Sequence, residues 1–102
     1  MCKLLHWQCL PQETTGDYDF NGTFYVTKGV LQKLSHAEIA SIYAFTQSLV
    51  REKNGIDYLL VFEHNQTKER LFFIDQIDRV SIQSGNYSAQ ENHCTLLLAS
   101  EY

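Results

Sequence analysis

Cys2, His6 and Cys9 stand four and three residues apart, a spacing that places side chains on one face of a helix and could offer three soft ligands to zinc. The plainer reading is buried cysteine acting as a small hydrophobe, because the paired Cys-x2-4-Cys knuckle of zinc motifs is missing. A second constellation lies further on. Asp75 and Asp78 leave an apolar run together, which suits cation binding, acid/base work or contact with a basic partner; the alternative is aspartate bonding its own backbone in a turn, or pairing with Arg70 or Arg79. His93 sets a base beside the Cys94 thiol, but adjacent residues of a strand point to opposite faces. A small metal-binding or hydrolytic protein would therefore use Asp75, Asp78, His93 and Cys94. His36, His64 and His93 each have a simple surface explanation. No Gly-rich phosphate loop, nucleophile elbow, His-Glu-x-x-His or dinucleotide fingerprint occurs. The expectation is no enzyme, no catalytic residue, no metal and no cofactor.

Recognition is the other chemistry on offer. Glu13, Asp17 and Asp19 form an acidic stretch with Tyr18 and Phe20 interleaved, a composition compatible with a protein interface, and Trp7 adds a large aromatic near the start. Candidate partner-binding residues are Trp7, Asp17, Tyr18, Asp19, Asp75, Asp78 and Glu101.

The elements that must carry these groups follow from periodicity. Asn21-Gly22 reads as a turn before a strand at Thr23-Phe24-Tyr25-Val26-Thr27, which Gly29 ends or bulges. Ser35-His36-Ala37-Glu38 is a capping box, and Ile39, Ile42, Tyr43, Leu49 and Val50 continue at helical spacing until Asn54-Gly55. Tyr58-Leu59-Leu60-Val61-Phe62 and Leu71-Phe72-Phe73-Ile74 are apolar at every position and joined by a short polar link, so they read as an antiparallel hairpin. Val80 and Ile82 suggest a brief strand, and Cys94-Thr95-Leu96-Leu97-Leu98-Ala99 a last buried one. The predicted fold is a single α+β domain over residues 1–102, with one main helix on a largely antiparallel sheet of about four strands in the order β-α-β-β-β; residues 1–20 form a less regular N-terminal segment, whose first ten residues read as a short helix or an edge strand.

The hairpin poses a problem of cover. An unbroken apolar run on a strand means that both faces of the sheet favour burial, and one helix covers only one. The second face calls for residues 1–10, a second copy of the chain, or a different protein.

Composition narrows the class. At 102 residues, 44% hydrophobic and 20% charged, the chain is large enough to bury roughly two thirds of its unfolded surface. A net charge of −4 argues against broad phosphate-backbone binding, so no direct nucleic-acid partner is expected. No stretch reaches the roughly 20 apolar residues of a membrane span, and the start lacks a secretory pattern. With an odd count of three cysteines, a reduced protein in the cytoplasm is the expectation.

The strand around Thr23 to Val30, the helix after it, Arg70-Leu71-Phe72-Phe73-Ile74-Asp75-Gln76-Ile77-Asp78 and the ending Thr95-Leu96-Leu97-Leu98-Ala99-Ser100-Glu101-Tyr102 carry a likeness. Over residues 21–102 the chain resembles a family of small bacterial proteins of unknown function borne by plasmids and phages. Its Phe-Ile-Asp-x-x-Asp stretch and Ala-Ser-Glu-Tyr terminus are the most specific pieces. Where that family has an acidic segment after the helix, this chain has Asn54-Gly55-Ile56-Asp57-Tyr58. The resemblance implies a mobile-element setting and no catalytic residues. Mobile elements encode many small acidic proteins that disable host defence, which suggests a non-enzymatic inhibitor of a host nucleoprotein complex such as a CRISPR or restriction system. A homodimeric structural domain is the remaining alternative.

Overall fold

The computed structural model describes residues 4–88 and 90–102. Along it run β1 (Trp7–Cys9), β2 (Thr23–Val26), α1 (Lys28–Lys33), α2 (His36–Lys53), β3 (Leu59–His64), β4 (Arg70–Asp75), α3 (Arg79–Gln83) and β5 (His93–Leu98), followed by a 3-10 turn at Ala99–Glu101. The fold is α+β, with a five-stranded sheet ordered β1-β3-β4-β5-β2.

Helix α2 begins where its capping box says it should. The Ser35 hydroxyl accepts from the Glu38 N–H at 3.1 Å, and the Glu38 carboxylate accepts from the Ser35 N–H at 3.0 Å. Asn54 ends the helix in the left-handed conformation at φ 53°, with Gly55 following at φ 105°. The buried stripe Ile39, Ile42 and Val50 meets Leu60, Phe62, Leu71, Phe73, Cys94 and Leu96 from the three central strands. Aromatic contacts lock the layers: Phe45 sits edge-on to Phe62 at 6.2 Å, and Tyr43 lies 4.7 Å from Phe24.

The β3–β4 hairpin is antiparallel, pairing Leu60 with Phe73 and Phe62 with Leu71, and β5 continues it antiparallel on the far side of β4. Four features depart from the sequence reading. A fifth strand is present, because Trp7, Gln8 and Cys9 pair with His64, Glu63 and Phe62. Strand β2 runs parallel to β5, so the sheet is mixed; the helical crossover after β2 is long enough to permit this. Val80 and Ile82 lie in α3, not in a strand, and Val80 is 63% exposed. Gly29 neither ends nor bulges β2, because the Thr27 hydroxyl accepts from the Val30 N–H and opens α1, a helix separated from α2 by the extended residues Leu34 and Ser35.

At Asn21-Gly22, read as a turn from two residues that tolerate positive φ, the chain only bends. Neither residue takes positive φ; Phe20 does, at 49°. Gly22 is required by close approach, since a Cβ there would lie 2.3 Å from the Asn92 carbonyl oxygen. Gly22→Ala is expected to lose about 2 kcal/mol in urea denaturation, the scale of an overpacked site, because the obstructing atom is backbone and cannot swing aside. A loss under about 0.5 kcal/mol would show that the β2 entry relaxes freely.

Candidate interaction surface

The alternation of the central strands sorts their side chains into two unlike faces. Leu60, Phe62, Leu71, Phe73, Cys94 and Leu96 point to the helices and are buried. Leu59, Val61, Phe72, Ile74, Thr95 and Leu97 point the other way and stay partly exposed. Register lines them up across the strands, Val61 beside Phe72 beside Leu97, and Leu59 beside Ile74 beside Thr95. Tyr25 on β2 pairs with Thr95 and extends the surface, its ring edge-on to His93 at 5.6 Å.

No helix of the described residues covers this face. The buried apolar residues of α1 and α2 all join the opposite core, and α3 buries none of its residues. The Tyr102 ring meets Phe72 edge-on at 5.4 Å, yet Tyr102 is itself 77% exposed. Residues 7–9, part of the 1–10 segment that was one of three possible covers, lengthen the sheet instead, as β1 on its edge. The rim is polar: Gln8 bonds Glu63 at 3.2 Å, and Glu63 pairs with Arg70 at 3.2 Å. Three six-residue strands flanked by strands of three and four residues, at about 4.8 Å spacing and about 3.3 Å per residue, make a face on the order of 400 Å². An apolar centre with a polar rim is the anatomy of a protein interface, and this area is about half of the roughly 800 Å² that one side of a standard interface buries.

Of the acids proposed from sequence, Asp17, Asp19, Asp75 and Asp78 gather around Tyr18 and Arg79 while Glu101 lies apart, but the cluster is not simply presented to a partner. Asp75 is 2% exposed, so it is not available to a partner; its carboxylate accepts from the Phe20 N–H at 2.9 Å and the Gln76 N–H at 3.0 Å. Burial raises its pKa, although those N–H bonds oppose the rise. Asp19 is neutralised by a two-pronged pair with Arg79. Asp17 gives its carbonyl to the Arg79 N–H, and Asp78 stands at the N-cap of α3 without a side-chain capping bond. Tyr18 forms a bridge with Ile56; burial first, then the charges of Asp78, Asp17 and Asp57, push its hydroxyl above the usual range. Glu101 is turned back on the chain, accepting from the Thr27 hydroxyl and the Leu98 N–H, which hold its carboxyl below the usual range. Trp7 is 4% exposed and donates its Nε1–H to Glu38, serving as an anchor between β1 and α2.

The residues considered for chemistry are likewise dispersed. His93 faces the open side, whereas Cys94 is buried in the core beside Asp75, its register partner. Burial, then the Asp75 charge, pushes the Cys94 thiol up to about 12, and burial pushes Cys9 up to about 11, so neither is a ready thiolate. Cys2 lies outside the described residues. Residues 7–9 form a strand and not a helix, so the shared helical face of His6 and Cys9 does not exist; His6 instead stacks near His64.

Two clefts flank α2. One of about 570 Å³ lies between the segment from Leu10 to Gly16 and the helix residues Phe45, Leu49 and Lys53. The other, about 360 Å³, is an apolar groove between β2 and the start of α2, lined by Phe24, Val26, Leu31, Ile39, Ala40 and Tyr43, with His36 at its mouth. Sequence reasoning named neither the open-face residues nor this groove as a site. The signal for the first was the unbroken apolar run itself; the second depends on β2 being an edge. No family model, curated protein or solved structure matches this chain.

Proposed function

We propose that this chain is a non-enzymatic protein-binding module whose working surface is the open sheet face. The observation that carries the reading is that Leu59, Val61, Phe72, Ile74 and Leu97 lie aligned on three strands with no helix over them. The likeness to plasmid- and phage-borne proteins supports a host defence nucleoprotein complex, of the CRISPR or restriction kind, as the target, met in the cytoplasm. The distribution of acids favours apolar docking over nucleic-acid mimicry, because Asp75 is buried and Asp19 is already paired. Nothing in the described helices is long and apolar enough to cross a membrane.

The test is affinity capture from host extract with the wild-type chain and a Phe72→Glu/Ile74→Glu variant as baits. A stoichiometric partner is expected to survive washing at about 1 M salt, where the Debye length shrinks to about 3 Å, and to vanish from the variant. The reading fails if both baits hold the same proteins, or if the partner elutes with salt alone. A wild-type dimer in sedimentation that the variant abolishes would assign the face to a second copy.

A further inference from the structure

The chain contains two Asn-Gly pairs, Asn21-Gly22 and Asn54-Gly55, and the fold holds them in opposite ways. Such a pair carries its own electrophile and nucleophile, because the glycine nitrogen, with no Cβ beside it, can close a ring onto the asparagine amide carbon. At Asn54-Gly55 the nucleophile is engaged. The Gly55 N–H donates to the Val50 carbonyl at 3.0 Å, Gly55 is buried, and Asn54 is fixed in the left-handed conformation at φ 53° as the cap of α2, so the cap must break before a ring can form. At Asn21-Gly22 it is free. The Gly22 N–H has no hydrogen-bond acceptor among the described residues, and Asn21 is exposed ahead of the bend that enters β2.

Asn92 touches both members of the free pair. Its Nδ2–H donates to Asn21 Oδ1 at 3.1 Å, a bond that draws electrons from the amide carbon and meets the negative charge that forms on this oxygen during attack. Its Cγ packs on Gly22, 2.7 Å from where a Cβ would stand. The Asn92 Oδ1 is buried without a partner among the described residues, so the side chain's one polar commitment there is to Asn21.

We propose that Asn21 is a site of spontaneous covalent modification, selected over Asn54 by the fold. The Gly22 nitrogen gives its proton to water and bonds to Asn21 Cγ, the Cγ–Nδ2 bond breaks, and ammonia leaves. Water then opens the succinimide. Addition at Cγ gives aspartate, whereas addition at the Asn21 main-chain carbonyl gives isoaspartate, whose backbone runs through the former side chain. Water is the only co-reactant, and no group changes oxidation state. Both products replace a neutral amide with a carboxylate, and isoaspartate adds a methylene to the main chain just ahead of β2. Gly22 there lies so close to the Asn92 carbonyl oxygen that a Cβ would stand 2.3 Å from it, and the Thr23 N–H bonds that same oxygen at 3.0 Å. The longer main chain displaces this approach and releases the first rung between β2 and β5. The site is separate from the open face, so this inference and the docking reading fail independently.

The test is to age the purified full chain in mildly alkaline buffer, folded and in guanidinium chloride, and to follow both pairs by peptide mass spectrometry with fragmentation that resolves isoaspartate. Unfolded, the two pairs are equally open and should convert at similar rates. Folded, Asn21 should convert at least about tenfold faster than Asn54. Hydrogen exchange on the aged protein should show lost protection at the Thr23 N–H. Asn21→Gln, whose longer side chain disfavours the ring, should keep that protection through the same ageing. The proposal is overturned if the folded chain converts Asn54 as fast as Asn21, or if Asn21 converts only when the chain is unfolded. Unchanged Thr23 protection in the converted protein, or equal loss in aged Asn21→Gln, would overturn it as well.

Discussion

Phe73→Ala is expected to lose about 4 kcal/mol in urea denaturation, within the range for deleting a fully buried aromatic ring. Phe73 has no exposed surface, and its ring lies 4.8 Å from Phe20 and 5.4 Å from Phe24. Neither neighbour can collapse into the space: Phe20 is held by bonds to Asp75 and Gln47, and Phe24 is fixed in β2. Against a total of about 5–15 kcal/mol for a small domain, the variant would be marginal at 37 °C. The adjacent Phe72→Ala is the comparison, expected to lose about 2 kcal/mol, less than Phe73 because that ring is only partly buried and meets the exposed Tyr102. Equal losses at the two positions would mean that Phe72 is covered and would remove the basis for docking there.

Asp75→Ala should lose about 3 kcal/mol at neutral pH, for a reason unrelated to packing. Its carboxylate satisfies the buried Phe20 N–H, and it holds Phe20 at φ 49°, a conformation that aromatic residues rarely adopt. Asp75→Asn keeps one acceptor oxygen and should lose about half as much. The pH dependence gives a second signature. Burial raises the folded-state pKa above the ordinary 3.8, so the folded protein binds this proton more tightly than the unfolded chain does. The contribution of Asp75 titration is therefore greatest below pH 3.8 and declines as pH rises through the raised folded value. The penalty of Asp75→Ala should be larger near pH 4 than at pH 7, opposite in slope to an acid stabilised as its anion, such as Glu101. An exposed, partner-facing Asp75 would show neither the stability loss nor this slope.

Particular residues show how far sequence reasoning reaches. The capping box at Ser35 and Glu38, the Asn54-Gly55 stop and the β3–β4 hairpin are local, because each depends on groups within a few residues or on the period of the apolar pattern. Trp7, Asp75 and Asp19 misled for the opposite reason. An acid or an indole is read as a surface feature until its partner is known, and those partners, Glu38, Phe20 and Arg79, are separated from them by 31, 55 and 60 residues.

From the sequence alone it followed that two apolar strand runs and one amphipathic helix must form an α+β layer with more apolar sheet than helix can cover. Periodicity carries that information because side-chain direction alternates along a strand whatever the strand pairs with. Tertiary structure alone decided which side chains remain open. Residues 7–9 could have folded over the sheet or beside it, and Trp7, bonded to Glu38 on α2, draws them to the edge. With β1 spent on extending the sheet and β2 placed parallel at the opposite margin, the open face and the free β2 edge are consequences of strand order, a long-range property that no local pattern encodes.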